Sequence, residues 1–167
     1  MRDLRFVLAA GILLAFSGCG VYSTHSGRVA ASLQRVTVPY LENRSSEPGI
    51  EIELTESIIA ALQADNTLKV VDPDDAQSEL SGAVVGYRRR PVFTTRELQV
   101  DEYQVQIVVE LTFTDLVSGK PVFAKKRFTG TGNFILDDPA GTTESTARQE
   151  AAEQIVRDVV ASVTEDW

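Results

Sequence analysis

The 167-residue chain holds one Cys, one His, one Met and one Trp. A single Cys excludes an internal disulfide framework and any Cys-rich zinc site. A single His rules out most metal triads and leaves one imidazole as a candidate base. Basic residues are outnumbered, with 16 Lys and Arg against 24 Asp and Glu, and the formal charge is −8. That balance argues against general binding to DNA or RNA, which needs a basic footprint. Residues 6–16 form an apolar run of eleven, too short for a bilayer span of about 20 residues. The apolar share of 43% is that of an ordinary globular chain, and the length suits one domain.

What is present begins with a leader. Arg2 and Arg5 precede the apolar run, and Ser17, Gly18 and Cys19 follow it. A basic start, a short apolar stretch and small residues at the cut describe a secretory signal peptide. The small-small-Cys ending resembles the bacterial lipoprotein signal. The resemblance implies acyl and diacylglyceryl groups on Cys19 and cleavage before it, although Phe16 stands where Leu is usual. Several acyl chains anchor stably where one is marginal. Gly20 rather than Asp after the Cys implies passage to the outer membrane. The expected organisation is a signal peptide at 1–18, a lipidated Cys and small, polar tether at 19–32, and one domain at 33–167. His25 falls in the tether and reads as a solvated residue.

Residues 33–40 alternate and read as a strand that ends near Pro39. A polar turn follows at 42–46, with Ser46 as a plausible N-cap and Pro48 in a helical first turn. Ile50, Leu54, Ile58, Ala61 and Leu62 recur at helical spacing, and Asp65-Asn66 ends that helix. Residues 68–71 read as a short strand, and Pro73, Asp74 and Asp75 as a turn. In a strand at 79–90, Ala83, Val85 and Tyr87 share one face and Gly82 and Gly86 the other. Residues 102–116 alternate strictly, with Tyr103, Val105, Ile107, Val109, Leu111 and Phe113 on one side. Ser118-Gly119 marks a hairpin to a strand at 121–130. Gly130, Gly132, Asp137, Asp138, Pro139 and Gly141 read as a long turn. Thr142 or Thr143 caps a last helix lined by Ala147, Ala151, Ala152, Ile155, Val159 and Val163, and Trp167 ends the chain. The expected fold class is α+β: a mostly antiparallel sheet of four or five strands, with two helices packed on one face.

Charge is segregated along the chain. Residues 88–127 carry eight basic and five acidic side chains, a net +3, against −12 for the rest of the chain from Cys19 onward. Within Arg88-Arg89-Arg90 and Lys125-Lys126-Arg127 the middle residue should point away from its neighbours. Arg88, Arg90, Lys125 and Arg127 are therefore candidates for one patch. Two readings stand: an anion-binding patch, since Arg forks and Lys suit phosphate, or a solvated edge that deters strand-to-strand aggregation.

The segment VTVPYLENRSSEPG at 36–49 and the helix text IELTESIIAALQAD after it resemble the LPS-assembly lipoprotein family (LptE). LKVVD at 68–72, LSGAVVGYRRRPV at 80–92 and EYQVQIVVELTFTDLVSGKPVFAKKRFTGTGNF at 102–134 follow in order. The resemblance implies two helices against a mostly antiparallel sheet. It also implies an outer-membrane, lipid-anchored, periplasm-facing plug that lodges in the β-barrel of the LPS-assembly protein LptD and helps deliver lipopolysaccharide to the outer leaflet. Lipopolysaccharide is then the ligand expected at Arg88, Arg90, Lys125 and Arg127. The acidic remainder departs from what a plug along that route would be expected to carry. The runner-up is a periplasmic lipoprotein resembling the curli-secretion or penicillin-binding-protein-activator type, which lacks the later hairpin text. No enzyme is expected, because no phosphate loop or nucleophile elbow is present. Asp74-Asp75 and Asp137-Asp138 sit beside prolines and read as turn chemistry. No metal and no cofactor beyond the acyl groups is expected.

Overall fold

The computed structural model describes residue 30 and residues 33–94, 100–136 and 141–164, without the side chains of 93, 94, 100 and 101. The expected leader, Cys19, most of the tether, the Asp137-Asp138 turn and Trp167 lie outside the described residues. The elements run β1 (Arg35–Thr37), β2 (Glu42–Asn43), α1 (Ile50–Asp65), β3 (Lys69–Val70), β4 (Ser78–Thr94), β5 (Val100–Asp115), β6 (Lys120–Ile135) and α2 (Glu144–Thr164). A 3-10 turn at Pro73–Asp75 precedes β4.

The α+β class holds, but the expected four or five mostly antiparallel strands are a mixed sheet of six. Its order is β3-β1-β4-β5-β6, with β2 also beside β4. β4, β5 and β6 pair antiparallel, whereas β1 runs parallel to both β3 and β4, and β2 parallel to β4. The crossover through α1 makes β1 and β3 parallel. The single strand expected at 33–40 is divided. Val38 and Leu41 are buried in the core and Pro39 has no donor, so the chain leaves β4 after Thr37 and rejoins it at Glu42.

β5 has the strict alternation expected of it, with Val105, Ile107, Val109, Leu111 and Phe113 all fully buried. β4 differs from expectation. Leu80, Gly82 and Val84 pair with Phe113, Leu111 and Val109, and then the register shifts between Val84 and Gly86. The bulge at Val85 changes the parity. Tyr87 and Arg89 therefore join the core face, while Ala83, Gly86, Arg88 and Arg90 lie on the other.

The largest correction concerns β6, which continues through Gly130 and Gly132 to Ile135 instead of turning. A Cβ at Gly130 would overlap the Ala151 carbonyl, and one at Gly132 the Ala147 carbonyl. These glycines are contact points under α2, not turn residues.

Both helices cover the same sheet face. α1 buries Ile50, Leu54, Ile58 and Leu62, and α2 buries Ala147, Ala151, Ile155, Val159 and Val163 in one continuous core. α1 is not capped by Ser46: its N-cap is Gly49 (φ 81°), so Pro48 stands outside the helix. Its end at Asn66, left-handed at φ 59°, is as expected. For α2 the cap is Thr143, whose Oγ1 accepts from the Thr146 amide (3.2 Å) while the Thr143 amide donates to Thr146 Oγ1 (2.8 Å). Among the described residues no helix is long and apolar enough to cross a membrane.

Candidate functional site on the open sheet face

With both helices on one side, no described helix covers the other face of β4-β5-β6. It carries Gln104, Gln106, Val108, Glu110, Thr112 and Thr114 along its centre, all partly exposed. Flanking them are the four cations singled out above. Arg88 pairs across from Gln106, Arg90 from Gln104, and Arg127 from Glu110.

Lys125 arrives by a different route from the one the sequence suggests. The β5–β6 register shifts between Leu111 and Phe113, and Lys125 is left-handed at φ 51°. Its amide donates to Thr112 Oγ1 at 3.1 Å. The bulge keeps Lys125 on the open face together with Arg127, while Lys126 turns to the helices.

The four cations do not form one cluster. Arg88 and Arg127 line a 230 Å³ hollow with Val85, Gly86, Gln106 and Val108. Lys125 lines a separate 480 Å³ hollow with Arg44, Glu42, Glu110 and Tyr40. Arg90 donates twice to Gln104 Oε1, at 3.1 and 2.7 Å. Gln104 in turn donates to Asn133 (3.1 Å), and Asn133 to Glu102 (2.9 Å), so a polar ladder crosses three strands. Arg127 is partly neutralised by Glu110 at 3.3 Å, Arg44 more closely by Glu42 at 2.6 Å. Neither Arg88 nor the Lys125 ammonium makes an ion pair or a side-chain hydrogen bond among the described residues, which leaves these two the freest cations of the face. Such an array can hold a phosphate or a polar saccharide. No group of His, Cys, Asp or Glu suited to a metal occurs among the described residues.

Arg44, Glu42 and Tyr40 were not singled out from sequence. They reach the open face because β2 pairs with β4 in parallel at Ala83 and Val84, a contact made across some 40 residues with no local signal.

The quoted text at 36–49 has a structural explanation. Asn43 Nδ2 donates to the Glu47 carbonyl (2.7 Å) and to Glu51 Oε2 (2.6 Å). Asn43 Oδ1 accepts from the Ser45 amide (2.9 Å) and hydroxyl (2.8 Å). The Arg44 amide donates to the Val84 carbonyl (2.8 Å). Glu47 then accepts from Arg148 of α2 at 2.9 Å, so this turn ties the sheet to both helices. Near it, Tyr87 donates to Glu144 Oε1 (2.9 Å), and Arg89 to Glu144 Oε2 (2.8 Å). Burial, and then the Glu144 carboxylate, push the Tyr87 phenol well above its ordinary value.

Comparison with solved structures finds the same fold in other bacterial proteins. Lipoprotein B from Nitrosomonas europaea is 14% identical at a TM-score of 0.58, over 83% of this chain and 87% of that one. CT253 from Chlamydia trachomatis is 10% identical at 0.56, over 77% and 96%. A minor lipoprotein from Acinetobacter baumannii is 15% identical at 0.50, over 80% and 92%. At these identities the likeness shows the fold. Comparison with curated proteins gives no match. The model of the lipopolysaccharide-assembly family LptE matches residues 33–165, all of the folded domain, and the chain belongs to that family.

Proposed function

We propose that this chain is a non-enzymatic, acyl-anchored outer-membrane lipoprotein that plugs an LptD-type β-barrel and assists delivery of lipopolysaccharide to the outer leaflet. The observation that carries the reading, beside the family match, is the uncovered sheet face with Arg88, Arg90, Lys125 and Arg127 all turned toward it. An acidic chain that turns four cations toward a helix-free face has a surface suited to phosphate head groups. The polar ladder from Arg90 to Glu102 adds hydrogen-bonding capacity suited to saccharide.

Two measurements test this. The tagged protein, extracted in mild detergent, should bring down a large β-barrel protein; recovery without one would refute the plug. Charge reversal at Arg88, Arg90, Lys125 and Arg127, with circular dichroism to verify folding, should reduce lipopolysaccharide capture. Unchanged capture would leave the four as a solvated edge.

A further inference from the structure

The hairpin between β5 and β6 presents bare apolar side chains at one end of the sheet. Val117 is 71% exposed, the highest of the large apolar side chains among the described residues, with Leu116 at 44% and Val122 at 37%. The turn that carries them is held firmly. Asp115 Oδ1 accepts from the Val117 amide (2.8 Å) and the Ser118 amide (3.1 Å), and the Gly119 amide donates to the Asp115 carbonyl (2.9 Å). Single exposed apolar side chains are ordinary, and the opposite end of the sheet carries Val92, Ile135 and Leu136 at 50, 46 and 49% exposure, so position decides which end is a contact surface.

Its place in the fold says which. The Leu116 amide donates to the Gln77 carbonyl, and the Gln77 amide to the Arg35 carbonyl, both at 2.8 Å. Ser78 Oγ donates to the Leu33 carbonyl at 2.9 Å. The tip thus sits at the end where the chain enters from Cys19. Thirteen residues lie between Cys19 and Leu33, a reach of at most ~50 Å. β5 alone, 16 residues, is about 50 Å long. An anchor at Cys19 therefore keeps the hairpin end nearest the membrane, and the opposite end comes close only if the domain folds back.

We infer that Leu116, Val117 and Val122 form a lipid-contact tip that seats the anchored domain on the bilayer interface. The inference rests on the acyl-anchor reading of Cys19 and concerns the lipoprotein by itself, before any barrel partner joins it. Charge does not drive the contact: Lys120 stands at the tip, but Asp74 and the Arg35–Asp75 pair (3.2 Å) lie at the same end. Apolar insertion should therefore proceed on zwitterionic lipid.

The test uses the full acylated protein carrying Val117→Cys or, at the far end, Val92→Cys, each labelled with an environment-sensitive fluorophore. Samples are floated with phosphatidylcholine vesicles that contain nitroxide-labelled acyl chains. The expected result is co-flotation of both, with blue-shifted, strongly quenched emission at position 117 and little quenching at 92. Flotation with equal quenching at both positions overturns the inference and leaves the anchor standing. Failure to float overturns both. A label at 117 that stays wet on vesicles but becomes shielded once a copurified barrel is added assigns the tip to the barrel, and also overturns it.

Discussion

Replacing Gly130 or Gly132 by Ala should loosen the domain far more than a one-methyl change on a strand normally does. A Cβ at Gly132 lies 2.8 Å from the Ala147 carbonyl carbon and 2.9 Å from its Cα; at Gly130 it meets the Ala151 carbonyl carbon at 2.7 Å and Ile155 Cγ1 at 3.0 Å. Carbon pairs rest at about 3.5–4.0 Å, so α2 has to withdraw by about 1 Å, a gap that forfeits a quarter to a half of each contact's attraction. The contacts at stake are those of Ala147, Ala151, Ile155 and Val159, all essentially buried. The loss should be about 3 kcal/mol per substitution, the upper end of overpacking costs, out of a total of about 5–15 kcal/mol. Urea unfolding followed by circular dichroism reads it as a lower midpoint. Gly86→Ala is the internal control, because its Cβ meets only Val108 at an ordinary 3.6 Å, and it should change stability by less than about 1 kcal/mol. If all three variants unfold alike, α2 does not pack backbone-to-backbone on β6 and the account of these glycines is wrong.

Other expectations concern single side chains. Asn43→Ala removes four hydrogen bonds of the turn before α1 and should lower stability by about 1–2 kcal/mol, read as a urea midpoint shift at constant slope; no shift would make the turn self-supporting. Lys126→Ala should cost about 1–2 kcal/mol, since its ammonium bonds Ser162 at 2.9 Å and stands 5.6 and 5.7 Å from the Phe123 and Phe128 ring centres. Lys125→Ala should stay within about 0.5 kcal/mol, and equal losses would contradict the division of faces. Hydrogen bonds from the Ser118 and then the Val117 amides hold the Asp115 carboxyl below its ordinary value of 3.8. A depressed carboxylate stabilises fully above that ordinary value and ceases to do so as pH falls through the depressed one. Intrinsic-rate-corrected exchange protection of those two amides should accordingly drop on acidification, and Asp115→Ala should abolish the pH dependence.

Legibility in the sequence followed how local each cause was. The β5 alternation and the two helix faces were readable because period 2 and period 3.6 are properties of neighbouring residues. Val85 could not be read as a bulge, since nothing in GAVVGY distinguishes an extra residue from a paired one until β5 supplies the register. Gly130 and Gly132 were read as turn residues because glycine serves turns and close approaches equally well, and only the arrival of α2 decides between them. Ser46 reads as a plausible helix cap, but α1 begins only at Ile50 and the chain enters it through the left-handed Gly49. For the candidate site, the polar face and the outward turn of Arg88, Arg90 and Arg127 follow from alternation, whereas Lys125 is kept there by a bulge that alternation does not show. The separation of the cations into two hollows was not legible, because it depends on the bulge at Lys125 and on a parallel strand, β2, recruited from the far end of the sequence.

The two basic trios carry the last step. In each, the middle residue serves the fold and the outer ones serve the surface. Arg89 meets Glu144 in the first turn of α2 at 2.8 Å and lies 5.5 Å from the Tyr103 ring centre; Lys126 reaches Ser162 in the last turn. One trio thus holds each end of α2, and an acid at the helix start with a cation at its end is the arrangement the helix dipole favours. Arg88, Arg90 and Arg127 are consequently turned outward by the same strand pleat that turns the middle residues inward, and the bulge at Lys125 keeps it beside them. The net +3 of residues 88–127 is therefore not a measure of the open face, since Arg89 and Lys126 belong to the helix side and Glu110 offsets Arg127. What the face offers an anionic head group is local and uneven, with one unpaired cation in each hollow, Arg88 and Lys125. Charge reversal at Arg88 should therefore weaken lipopolysaccharide capture more than reversal at Arg127, which lines the same hollow, whereas a loss at Lys125 with none at Arg88 would move the ligand to the hollow around Lys125 and Arg44.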